Sequence, residues 1–261
     1  MSPDTKNQHE NNLVRALATD TGVSIMTLSS ILVVNTKGGC GKSTIATNLA
    51  CYYRGIGLRT AVYDCDRQRS TETWLRRRPS SSPKIQRMAR WEDCDKHEGL
   101  ARLILDSPGG ISTTQLAPLV AHADAVIVPV LPSDIDTAAA ARFIGNLLVN
   151  LNVDPERKNI CVVANRVRLN TNSYARLGRF LSNLRIPCIA QLRDTQSYVR
   201  AYECGLGLCE LQPSRGVTQE LEQWRRLVNW LERPKGETIW ERAIRLTGGE
   251  SRHAASSLAA R

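Results

Sequence analysis

Short apolar runs recur along this chain, and between them the apolar positions fall at helical rather than alternating spacing. The runs are Ile31–Val34, RTAVYD (59–64), LARLILD (100–106), ADAVIVPV (123–130), NICVVAN (159–165) and PCIAQL (187–192), each read as a strand. Ile45, Ala46, Leu49, Ala50 and Tyr53 line one side of a helix behind the first run. Further helices are expected through Trp74, over an Ala-rich stretch at Thr137–Leu151, and around Tyr174–Leu184. The last is 217–232, where Val217, Leu221, Trp224, Leu227, Val228 and Leu231 make one apolar stripe. Strands alternating with helices predict an α/β fold, a mostly parallel twisted sheet flanked by helices. One folded domain is expected over 31–233, with a disordered leader at 1–29 and a tail at 234–261 that has room for one helix, Ile239 to Leu246.

Composition narrows the class. The 261 residues are 42% hydrophobic, enough for one large core, and no stretch approaches the ~20 apolar residues that span a bilayer. The opening MSPDTKNQHENN lacks the apolar centre of a signal peptide. The eight cysteines never form a CxxC pair, and several lie inside apolar runs. Reduced, buried thiols in a cytosolic protein fit this better than disulfides or a metal cluster. A net charge of +10 favours a polyanionic partner, nucleic acid first and an acidic membrane surface second.

The chemistry concentrates in ILVVNTKGGCGKST (31–44). A strand, a glycine loop and a helix in that order bring backbone N–H groups and the positive helix end onto one anion. The loop approximates the phosphate-binding pattern GxxxxGK[ST], in which Lys42 reaches the β/γ-phosphates and the Ser43 hydroxyl ligates Mg²⁺. It departs from that pattern at Thr36, where glycine is usual, and in carrying a second lysine, Lys37. LILDSPGG (103–110) adds a carboxylate, Asp106, leaving an apolar strand, the Walker-B arrangement that orients hydrated Mg²⁺. Gly109 and Gly110 behind it allow that loop to move with a γ-phosphate.

KGGCGKS with its early lysine resembles the deviant Walker-A loop of the ParA/MinD group of P-loop ATPases, and the likeness runs from Ile31 to Glu232. The resemblance implies that Lys37, Gly38, Gly39, Cys40, Gly41, Lys42, Ser43 and Thr44 hold ATP, with Lys37 crossing a dimer interface to the partner's nucleotide. DCDRQRS (64–70) is similar to the family's DxDPQ. Asp66 would then place the attacking water, and Asp64 would support Mg²⁺ through water beside Ser43 and Asp106. Arg67 replaces the usual proline, which adds a charge and releases the backbone. Asn165 and Arg166 match a family NR pair whose asparagine amide meets an adenine edge. Facing lysines repel by roughly 4 kcal/mol at about 4 Å in an effective dielectric near 20, so a triphosphate with Mg²⁺ should glue the dimer.

By resemblance, the chain is expected to be a small ParA-like ATPase, cytoplasmic and nucleoid-associated in a bacterium. Its ATP homodimer would bind DNA without sequence preference and position plasmid, chromosome or other cargo. A ParB-like or adaptor protein would stimulate a weak hydrolysis. Arg193, Arg200, Arg215, Arg225 and Arg226 are the candidate DNA contacts, with Arg76, Arg77, Arg78, Lys84, Arg87 and Arg90 as a rival surface. The alternative is a MinD-like membrane ATPase anchored by ETIWERAIRLTGG (237–249), whose two glutamates and modest apolar area argue against it. A reductase with a cluster bridging its dimer fails for want of suitably framed cysteines.

Overall fold

The computed structural model describes residues 28–154, 159–168, 171–182 and 186–233. All but the last two residues of the expected leader, and the tail with its helix, lie outside them. The described residues form a seven-stranded, all-parallel sheet. Its strands are β1 (Ser29–Val33), β2 (Thr60–Asp64), β3 (Gln86–Arg87), β4 (Arg102–Asp106), β5 (Ala125–Val130), β6 (Asn159–Val167) and β7 (Cys188–Arg193). The order is β3-β2-β4-β1-β5-β6-β7. The chain fills one side of β1 before crossing to the other, so the loops after β1, β4 and β5 part at their carboxyl ends. That crevice is where an open parallel sheet receives a ligand.

The helices are α1 (Lys42–Gly55), α2 (Ser70–Arg77), α3 (Thr113–His122), α4 (Asp134–Gly145), α5 (Asn172–Ser182), α6 (Gln196–Glu203) and α7 (Arg215–Leu231). Successive side chains of β1 point to opposite faces. Ile31 and Val33 enter one core layer with Ile45, Leu49, Trp224 and Leu227. Leu32 and Val34 enter the other with Leu116, Leu119, Phe143 and Ile144. Ile45, Leu49, Trp224 and Leu227, the stripes read from the sequence on α1 and α7, therefore meet over one face.

Three elements differ from the expectations. Helix α3 carries Pro118 and follows two glycines, signals that read as loop, yet a Ser112–Gln115 capping box starts it. Helix α4 begins three residues before the expected Thr137, because the Ser133 side chain accepts the Asp136 N–H. It ends at Gly145 and passes into a π turn over Asn146–Asn150. Strand β3 is two residues cut from a basic stretch, held by two register pairs with β2. Among the described residues no helix is long and apolar enough to cross a membrane.

Candidate nucleotide site

The glycine loop leaves β1 at a fixed angle. Buried Asn35 donates to the Pro129 carbonyl at 2.8 Å and accepts the Lys37 N–H at 3.0 Å. Gly41 caps α1 with φ 93°, and a Cβ there would stand 2.0 Å from the Asn165 amide nitrogen. Glycine is therefore required by conformation and by space. A Cβ on Gly109 would lie 3.3 Å from the Gly38 Cα, and the Gly110 N–H bonds the Thr36 carbonyl at 2.8 Å. The loop after β4 thus packs directly on the glycine loop.

A cavity of about 1110 Å³ opens above these backbones. Gly38, Gly39, Gly41, Lys42, Ser43, Thr44, Asp66, Asn165 and Arg166 line it, whereas Cys40, Asp64 and Asp106, which the sequence reading grouped with them, lie outside the lining. The Lys42 ammonium folds back onto the Lys37 carbonyl at 3.1 Å. Cys40 is buried behind the loop, its thiol donating to the same carbonyl at 3.2 Å. Lys37 is outside the lining. Its ammonium lies 4.0 Å from Asp136 on α4, with 42% of the side chain exposed.

Asp106 is buried at the end of β4. Its Oδ2 accepts the Thr71 hydroxyl at 2.7 Å, while its buried Oδ1 has no hydrogen-bond partner among the described residues. Burial pushes its carboxyl up to about 7, against the pull of the Thr71 and Ser43 hydroxyls and the Lys42 ammonium. An orphaned carboxylate oxygen beside a threonine-type hydroxyl fits a hard divalent cation, which takes oxygen ligands. Asp64 uses both oxygens on backbone: Oδ1 accepts the Asp66 N–H at 3.0 Å and Oδ2 the Glu72 N–H at 3.1 Å. Helix α2 starts on a left-handed Arg69 without a side-chain cap, and the Asp64 carboxylate does that work instead. Burial raises the Asp64 carboxyl, and those N–H bonds oppose the rise. Asp66 faces the cavity and accepts the Gln68 N–H at 2.9 Å.

Asn165 is more constrained than an adenine reader needs to be. Its amide nitrogen donates to the Cys40 carbonyl at 2.8 Å and its oxygen accepts the Arg166 N–H at 3.0 Å. It braces the glycine loop and keeps one amide hydrogen for a base edge. Arg166 is exposed and left-handed, φ 51°, a strained backbone at the cavity wall.

The basic surfaces differ in how free their arginines are. Arg193 is exposed and also lines the nucleotide cavity, its guanidinium donating to Gln219 at 3.0 Å. Arg78 of the rival surface is only 5% exposed and is locked to Glu210. Arg87 pairs with Glu72 at 2.8 Å, which leaves that surface less positive than its sequence. Arg200, Arg215 and Arg226 are exposed, and half-buried Arg225 lies 3.6 Å from Glu222. Among the residues the sequence reading did not assign to the site are Thr71 and Asp136. Thr71 carried only the signal of a hydroxyl in a helix start, and Asp136 only that of an acidic first turn.

A parallel sheet whose first strand feeds a glycine loop, with a lysine–serine pair opening the helix that follows and an adjacent buried aspartate, defines a P-loop nucleotide-binding protein. Residues 31–208 match the family model of the CobQ/CobB/MinD/ParA nucleotide-binding domain, and the chain belongs to that family of ParA/MinD-type ATPases. It is 23% identical over 203 residues to the "Maintenance of carboxysome distribution protein A" of Halothiobacillus neapolitanus, covering 74% of this chain and 93% of that one. Two solved structures share the fold at TM-score 0.61. One is a plasmid partition protein of Borrelia burgdorferi bound to AMPPNP, 13% identical over 79% of this chain and 99% of that one. The other is the MinD cell division protein of Aquifex aeolicus, 17% identical over 81% and 98%.

Proposed function

We propose that this chain is a ParA-like positioning ATPase whose ATP-bound homodimer carries cargo over DNA. Lys42 exchanges the Lys37 carbonyl for the β/γ-phosphates, and the loop amides from Gly38 to Thr44 hold the remaining oxygens. Ser43 and Asp106 hold Mg²⁺, with Asp64 behind them. When bound there, Mg²⁺ would supply positive charge to the phosphates. Asp66 orients the attacking water from the exposed edge of the cavity. Asn165 and Arg166 wall the base side.

The observation that carries the reading is the placement of Lys37. It lies outside its own cavity while Lys42 lies within it. A second lysine that does not serve its own nucleotide is suited to serve a neighbour's. The dimer then doubles whichever arginine face meets DNA, for which exposed Arg200, Arg215 and Arg226 are the leading residues, with Arg225 beside them. Relatives named for carboxysome distribution and for plasmid partition support a large cargo, and an adaptor that reaches it and stimulates a slow hydrolysis completes the proposal. Co-sedimentation with DNA and with anionic liposomes, in ATP and in ADP, tests this. Pelleting with DNA only in ATP is expected. Pelleting with liposomes instead would replace the proposal with a membrane-bound ATPase.

A further inference from the structure

The first turn of α2 holds two carboxylates behind the phosphate loop, buried Asp106 and half-buried Asp64. Its Glu72 N–H bonds Asp64, and the hydroxyl of fully buried Thr71 bonds Asp106 Oδ2 at 2.7 Å. A carboxyl group can rotate about its last bond. The 2.7 Å Thr71 bond, with the Ser43 hydroxyl drawing on the same carboxylate, fixes its plane and leaves Oδ1 bare. The same turn follows directly on the loop that carries Asp66, whose start is tied to Asp64 at 3.0 Å. Two further bonds anchor it from the far side: the Tyr202 hydroxyl donates to the Ser70 carbonyl at 2.7 Å and the Trp74 indole to the Leu206 carbonyl at 3.1 Å.

We propose that Thr71 is a positioning residue for the divalent cation, holding Asp106 so that its unpartnered Oδ1 is presented to the metal beside Ser43. The proposal rests on the nucleotide reading above. Partners that orient a metal ligand through hydrogen bonds typically contribute about 10–100-fold to metal affinity. Its hydroxyl is the active part, and its methyl merely fills the core.

The test is ATP binding by calorimetry across a Mg²⁺ series and in EDTA, on the wild-type chain, Thr71→Val and Thr71→Ser. Thr71→Val should need about tenfold more Mg²⁺ for half of the metal-dependent tightening, and should match wild type in EDTA. Thr71→Ser should stay within about threefold of wild type, since it keeps the donor. Should the valine variant fail to fold, Thr71→Ala and Thr71→Ser differ by that one oxygen and give the same comparison. An unchanged Mg²⁺ requirement without the hydroxyl, or an equal loss in the serine variant, overturns the proposal. A wild-type chain that binds ATP equally with and without Mg²⁺ overturns it too but spares the ATP site, whereas one that does not bind ATP at all removes the nucleotide reading itself.

Discussion

At the scale of single residues, two lysines five positions apart have been given different work by the loop between them. Lys42 is buried and folded onto a backbone carbonyl, a contact a phosphate oxygen replaces with a stronger, charge-assisted bond. Lys42→Ala should therefore lose ATP binding in a filter or calorimetric assay. Asp66 is different, because it sits at the cavity edge and its carboxylate accepts the local Gln68 N–H. Asp66→Ala should bind ATP as wild type does and release phosphate about 100-fold more slowly or worse. Turnover at the wild-type rate would assign the water to another group.

At the scale of elements, α2 is held against the segment that follows α6. Arg78 donates through both terminal nitrogens to Glu210 and also to the Gly205 carbonyl at 3.1 Å. A Cβ on Gly205 would stand 2.4 Å from the Arg77 and Arg78 backbone. Burial works to raise the Glu210 carboxyl, but the Arg78 bonds prevail and hold it below its ordinary value. A depressed carboxylate stabilises the fold above its unfolded pKa, near 4.3, and loses that contribution as pH falls through the lower folded value. Glu210→Gln should cost about 3 kcal/mol at pH 7 in urea unfolding. It should also flatten the acid loss of stability below about pH 4. A variant as stable as wild type at pH 7 would make the pair ornamental.

The same scale shows what the chain discloses in one dimension. Six of seven strands were legible: β1, β4, β5 and β6 bury nearly every residue and so read as apolar runs, while the less buried β2 and β7 still carry short apolar stretches. Strand β3 was not, since Gln86 and Arg87 owe their pairing to β2 rather than to any pattern of their own. The glycine loop between β1 and α1 was legible, as glycines and lysines must be adjacent in sequence to cradle an anion, whereas the turn of Lys37 toward Asp136 was not. The Thr71–Asp106 bond was not, because it joins residues 35 positions apart. Arg78 misled for the same reason: a run of three arginines reads as a solvated face, and only the fold brings Glu210 onto one of them.

At the scale of the whole molecule, the +10 charge would be doubled in the proposed dimer. If about six phosphates are neutralised, log affinity for DNA should fall against log salt with a slope of roughly −5. Arg215→Ala should shrink that slope by about one without creating sequence preference, as gel-shift titrations at several salt concentrations would read. A salt-insensitive complex, or one confined to a single sequence, would contradict phosphate-mediated binding.

The central claim is that ATP joins two copies through Lys37. Light scattering of the Asp66→Ala chain, with and without Lys37→Ala, measures it while hydrolysis is slowed. With ATP and Mg²⁺ the mass should double from the 29.0 kDa monomer, and with ADP it should not. The Lys37→Ala chain should bind ATP and stay monomeric. A dimer that forms equally in ADP, or that forms with ATP in the absence of Lys37, would contradict the account.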